Sequence, residues 1–166
     1  DNFKTVSEDY NKFLHRWEKG DWDDSESSYK RVWTKPITTY ASNYNSFDIS
    51  LAPLKEHIFN KVKSQLKVIE AGFHKKALIA QNYGPYQIDC INAIEYGGKI
   101  NPKGNSILVD TSKNHKNWYK AVKKLVDNPN MIEDLGERLY EDVQKYHIDV
   151  VTTTRAEIYR ELIRKN

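Results

Sequence analysis

Asn60, Lys63, Ser64, Lys67 and Glu70 fall between positions 60 and 70, three or four residues apart or adjacent. On a continuous helix, at about 100° per residue, they occupy one arc roughly 120° wide. An amide, a hydroxyl, two ammonium groups and a carboxylate would then share a single line. That set suits a nucleoside diphosphate: lysine and serine for phosphate oxygens, a carboxylate accepting from ribose hydroxyls. Val62, Leu66, Ile69 and Phe73 fall in a second arc about 60° wide, which the spacing predicts as the core face. The same polar spacing is also that of an ordinary solvated helix face. Lys67 and Glu70 would then be an i, i+3 pair worth about 0.2–0.5 kcal/mol.

Other groups add less. Gly84, Pro85 and Tyr86 form a turn that could stand beside a base or sugar, with Tyr86 stacking; a plain turn with a packed tyrosine reads equally well. The five histidines (15, 57, 74, 115 and 147) show no H-x-x-x-H or H-E-x-x-H spacing, so no structural metal is expected. The lone Cys90 excludes an internal disulfide and a cysteine-based zinc finger, and is expected to pack as a small apolar residue. G-x-S-x-G, P-loop and G-x-G-x-x-G patterns do not occur.

The elements that must hold these residues read as alternating strands and helices. Ser7–Glu18 reads as a helix, Gly20–Ser28 as an acidic loop and Tyr29–Thr34 as a strand. Pro36 opens a short helix through Tyr44, and Asp48–Ala52 is a strand. A helix is predicted over 59–73, followed by a strand at Ala77–Ala80 of the kind buried on both faces of a parallel sheet. The segment Tyr86–Tyr96 is read as helical up to the Gly97–Gly98 stop. Ile107–Val109 is the next strand, with helices at His115–Val126, Met131–Tyr146 and about Thr153–Leu162. Short apolar strands between helices predict an α/β fold with a parallel sheet. The helix after Ala52 would begin at the carboxyl edge of that sheet, where open α/β sheets bind ligands.

Charge is uneven along the chain. The net +3 over 166 residues conceals six lysines against Glu56 and Glu70 in 54–76, and seven against Asp110 in 99–124. Segments 1–30 and 127–150 are net acidic. The two basic segments are expected to meet at the carboxyl edge and form an anion site. Solvated surfaces that never meet remain the alternative. Mean hydropathy is −0.79 and no run approaches a membrane span. The first ten residues lack the basic-then-apolar pattern of a secretion signal, so the expected compartment is the reducing cytoplasm.

The stretch Asp48–Tyr86, DISLAPLKEHIFNKVKSQLKVIEAGFHKKALIAQNYGPY, resembles the donor-binding half of GT-B-fold glycosyltransferases of the group 1 type. The features are a strand ending L-A-P-L, then F-N-x-x-K-S-x-x-K-x-x-E, then a short strand and a G-P-Y loop. Asn105–Val109 and Trp118–Pro129 resemble the following strand, helix and loop, so the likeness runs over about 29–165. It implies a Rossmann-like parallel sheet flanked by helices, forming one lobe of a GT-B fold. Residues 1–166 would be a single donor-binding domain, with an N-terminal helix and acidic loop (1–28) before the core (29–166). Glu70 matches the family glutamate that grips the ribose, and Lys63 and Ser64 match positions near the phosphates. The family's other glutamate falls on Val62, with Glu56 as a substitute nearby.

The resemblance further implies transfer of a glycosyl group from a nucleotide diphosphate sugar, with retention, to an unknown acceptor. No metal or other cofactor is expected, and no catalytic residue is assigned. The acceptor-binding lobe is expected as a partner, because this chain matches about one lobe, which would not be active alone. Contact with the inner face of a membrane would come through the full-length enzyme. A second class stays open: a non-catalytic module whose Lys-rich segments meet an acidic partner or nucleic acid, although no RNP-type or helix-turn-helix signature is present.

Overall fold

The computed structural model describes residues 35–110 and 115–165. The helix expected at 7–18, the acidic loop and the strand at 29–34 lie outside them. The chain divides between Pro36 and Ile37 into two units, and the described strands and helices belong to the second, Ile37–Asn166.

Three strands, β1 (Ile49–Ala52), β2 (Ala77–Gln81) and β3 (Ile107–Val109), form a parallel sheet in the order β1-β2-β3. The register sets Ile49 beside Ala77 and Ala80 beside Leu108. Every residue of β2 is buried, as its ALIAQ sequence predicts for a central strand covered on both faces. Alternate residues serve opposite cores. Leu78 and Ala80 pack with Tyr44, Ala52, Val68, Ala71, Tyr86, Cys90, Leu139 and Val143. Ala77 and Ile79 pack with Ala93, Ile107, Val109, Ala121, Leu125 and Leu135.

The helices are α1 (Ile37–Tyr40), α2 (Ile58–Lys61), α3 (Leu66–Phe73), α4 (His115–Val126), α5 (Pro129–Val143) and α6 (Ile148–Lys165). Strands 48–52, 77–80 and 107–109, helix 115–126 and the Asn128–Pro129 break follow the sequence reading, and Pro129 opens α5. The helix from Pro36 is α1 followed by a 3-10 turn over Ala41–Ser46. The last helix is longer than 153–162, running over Ile148–Lys165.

Glycine decides where α5 lies. A Cβ on Gly136 would sit 2.3 Å from the Lys75 carbonyl oxygen, just before β2 begins. The helix therefore crosses the amino end of the sheet. α3 meets α5 at Gly72, where a Cβ would stand 2.7 Å from the Val143 side chain.

Two predicted helices differ. The helix over 59–73 is two helices, α2 and α3, separated by irregular backbone at 62–65. Its core face is Val68, Ala71 and Gly72, about 140° round from the predicted stripe, while Val62 is 79% exposed. Local contacts fix where each of the two begins. His57 Nδ1 accepts from the Phe59 amide at 3.2 Å, and the Tyr83 hydroxyl donates to the His57 carbonyl. The Gln65 amide instead ties the start of α3 to the Tyr146 hydroxyl at 2.9 Å.

Residues 86–96 are a 3-10 turn (Gly84–Ile88) followed by loop, with single bridges from Asn92 to Ser106 and from Ile94 to Ile100. Long-range side chains take the backbone groups that a helix would have paired internally. Asn105, fully buried, donates to the Asp89 carbonyl at 2.9 Å and accepts from the Ile91 amide at 2.8 Å. Asn92 accepts from the Leu108 amide at 3.0 Å.

Candidate nucleotide site

β1 ends in Leu51-Ala52-Pro53-Leu54, and there the backbone leaves the sheet at its carboxyl edge. Proline ends the ladder because it has no N–H to donate. The chain returns through 62–65 into the start of α3. Between these segments lies a cavity of about 430 Å³, lined by Leu51, Ala52, Pro53, Leu54, Lys63, Ser64, Leu66, Lys67 and Tyr86. Four of the predicted site residues, Lys63, Ser64, Lys67 and Tyr86, therefore share one cavity.

They do so by a different route from the one expected. Lys63 and Ser64 stand in the turn ahead of α3, not on the helical line of Lys67 and Glu70. Lys63 and Glu70 therefore do not share the single helical arc expected of them. Lys63 is exposed, and its ammonium lies 5.0 Å from the centre of the Phe59 ring. The cap residue Gln65 makes no side-chain capping bond to α3, whose first two residues, Leu66 and Lys67, line the cavity.

Lys67 belongs to a chain of short contacts. Its Nζ donates to the Tyr40 hydroxyl at 2.6 Å and to Glu70 Oε2 at 2.8 Å. The same Oε2 accepts from the Tyr44 hydroxyl at 2.7 Å. Partial burial disfavours the ammonium, but the bonds to Glu70 and Tyr40 outweigh it and hold Lys67 above its usual range. Tyr44 is raised far above the ordinary phenol value by burial first and by the Glu70 carboxylate second. Glu70, with 20% of its side chain exposed, does not line the cavity but stands behind Lys67.

The remaining predicted residues shape the wall. Tyr86 is 6% exposed, and burial raises its hydroxyl, partly offset by the nearby Lys67 charge. Pro85 is buried in the same turn. Gly84 adopts φ +60°, and its Cβ position lies 3.1 Å from the Asn60 carbonyl oxygen, so the turn closes directly on α2. Asn60 is not a cavity residue: its amide donates to the Lys55 carbonyl at 2.7 Å and folds the connecting loop. Glu56 is exposed in that loop. The sequence reading missed Tyr40, Tyr44 and the Leu51–Leu54 wall. Only the four-residue spacing of the two tyrosines, which puts both on one helical face, hinted at a pair.

The two basic segments do not converge. Lys99 and Lys103 lie in the connection that enters β3 from its amino end, where Arg138 of α5 donates to the Gly104 carbonyl at 3.0 Å. Lys63 follows β1 at the opposite, carboxyl end. The second half of the segment, Lys120 and Lys124, borders a separate cavity of about 490 Å³ along β3, with Ile94 and Tyr96. The parallel order of the sheet separates what the charge count had joined. Among the described residues, no group of three His, Cys, Asp or Glu is placed to hold a metal ion. Among them also, no helix is long and apolar enough to cross a membrane.

The sequence matches no family model and no curated protein. Its fold is similar to part of sucrose-phosphate synthase from Thermosynechococcus elongatus, with a TM-score of 0.59 at 19% identity. The likeness covers 78% of this chain and 28% of that one. At that identity it is a likeness of fold alone, a Rossmann-like α/β arrangement around a parallel sheet. This chain thus spans little more than a quarter of the solved structure's length.

Proposed function

We propose that this chain is the nucleotide-sugar-binding part of a glycosyltransferase. One observation carries the reading: Lys63, Ser64, Lys67 and the uncapped start of α3 border one cavity at the carboxyl end of β1. Two ammonium groups, a hydroxyl and the positive end of a helix dipole would make an anion site in a fold whose ligands bind at that edge. The cavity's size falls in the range of small-molecule sites.

In this reading the diphosphate lies against Lys63, Ser64 and the first turn of α3. Lys67 reaches it with the N–H that neither Tyr40 nor Glu70 uses. Glu70 acts through Lys67, because it stands behind that ammonium and not in the cavity wall. Tyr86 and the Gly84–Pro85 turn flank the base or sugar. Charge that builds up on the departing diphosphate is met by fixed cations and dipoles, with no metal required from the protein. The acceptor, and groups acting on it, would come from a second lobe facing the cavity, and transfer would proceed with retention.

The interaction-module reading has less support, because Lys99 and Lys103 stand at the amino end of the sheet and Lys63 at its carboxyl end. The discriminating experiment is a thermal-shift panel of UDP, GDP, ADP and their sugars against a short oligonucleotide. A shift with one nucleotide family and none with the oligonucleotide supports the proposal, and the reverse pattern removes it. Half a cleft buries only part of a ligand, so the expected affinity is weak, about −4 to −6 kcal/mol.

A further inference from the structure

Tyr40 and Tyr44 lie outside every reading of the residues as ligand groups, yet both terminate on the charged pair of the cavity. They are four residues apart, at the end of α1 and within the 3-10 turn after it, and so face the same way. Tyr44 is 5% exposed and immobilised on three sides. Its ring stacks on His74 at 4.8 Å with 9° between planes, leans on Phe47 at 5.2 Å and meets Tyr40 edge-on at 6.4 Å. From this fixed ring one hydroxyl reaches Glu70 Oε2, and the Lys67 ammonium joins the same oxygen. Tyr40 completes the frame from the other side, accepting from Lys67 and lying with its ring centre 5.2 Å from that ammonium.

An ammonium has three N–H donors. Two of those on Lys67 are committed here, to Tyr40 and Glu70, and no acceptor among the described residues takes the third. Lys67 lines the cavity, so the donor beyond these two bonds is the one available to a ligand in it. A free lysine has much rotamer freedom to lose on binding. This one has lost much of it already.

We propose that Tyr40 and Tyr44 are positioning residues for the anion site: Tyr44 anchors Glu70, and Glu70 and Tyr40 together hold Lys67 with its third N–H toward the phosphate. The inference rests on the cavity's binding a nucleoside diphosphate. Neither tyrosine touches the ligand. Removing a hydroxyl should loosen Lys67 without emptying the site, and only ligands carrying phosphate should register the change.

The test is titration calorimetry of the whole chain as wild type, Tyr40→Phe, Tyr44→Phe and Ser46→Ala. The ligands are UDP, GDP and ADP, each against its own nucleoside. Ser46 is the control, because its hydroxyl bonds only the local Asn43 carbonyl. For the diphosphate that binds wild type, each phenylalanine variant should lose about three- to tenfold in affinity, the size of one ordinary hydrogen bond. Its nucleoside and the serine variant should be unchanged. Equal losses for diphosphate and nucleoside, or no loss in either variant, would overturn the proposal while leaving the cavity's ligand in place. A wild-type chain that binds none of the three would overturn the nucleotide reading, and this inference with it. Should Tyr44→Phe fail to fold, the partly exposed Tyr40 decides alone.

Discussion

Gly84 adopts φ +60° with the Asn60 carbonyl oxygen 3.1 Å from where a Cβ would stand. Both facts oppose any side chain: the left-handed region strains an L residue, and the neighbouring oxygen is backbone and cannot swing away. Gly84→Ala is therefore expected to destabilise the chain by about 1–3 kcal/mol in chemical denaturation. A loss under about 0.5 kcal/mol would mean the turn does not need this backbone. Cys90 acts through pH instead. Burial pushes its thiol from 9.0 up to about 11, against a smaller opposing bond with Ser106. A thiol protonated in the fold but free to ionise when unfolded supports the fold fully below pH 9. That support is lost as pH rises toward 11. Wild type should lose about 2–3 kcal/mol more than Cys90→Ala between those pH values, read from urea midpoints and slopes. Parallel pH profiles would show that the thiol is not held protonated.

Among the elements, α3 shows what periodicity can and cannot say. Val62, Leu66, Ile69 and Phe73 are as regular an apolar stripe as Val68, Ala71 and Gly72 are a small-residue one. Periodicity locates a stripe, but the neighbour decides which stripe is core. Here the neighbour is α5, which approaches closely enough to need Gly72, and so the small residues are buried. The strand at 77–81 was legible because a central parallel strand needs apolar residues on both faces. The helix expected at 86–96 was not, because what prevents it is Asn105, far along the chain. Lys63, Ser64, Lys67 and Tyr86 could be picked out by residue type, while Tyr44 could not, since its partner Glu70 is 26 residues away.

The last helix is the least covered element. No residue of α6 is buried, and Leu162 and Ile163 are 54% and 75% exposed. Truncating exposed side chains removes little buried area. The double change Leu162→Ser, Ile163→Ser should leave the thermal midpoint within about 3 °C of wild type. A much larger fall would mean this helix is packed in solution.

At the scale of the whole unit, the sheet separates support from chemistry. α5 lies across the amino end, with Arg138, Asn105 and Asp142 tying it to the loop before β3. The carboxyl end holds the cavity. The charge count along the chain foretold one basic centre, and the parallel order of the strands made two instead. The fold likeness to the synthase covers 78% of this chain and 28% of that one.

The central claim is that the cavity at β1 binds a nucleoside diphosphate through its phosphates, and Lys63 tests it without disturbing the packed framework. Lys63 is exposed, takes part in no ion pair among the described residues and contributes only its contact with the Phe59 ring. Lys63→Ala should therefore change stability by less than about 0.5 kcal/mol. Titration calorimetry with UDP, GDP and ADP should show the wild-type chain binding one of them weakly. The variant should lose about 1.5–3 kcal/mol of that binding, with the matching nucleoside bound as before. Equal losses for diphosphate and nucleoside, or undiminished diphosphate binding in the variant, would contradict the account.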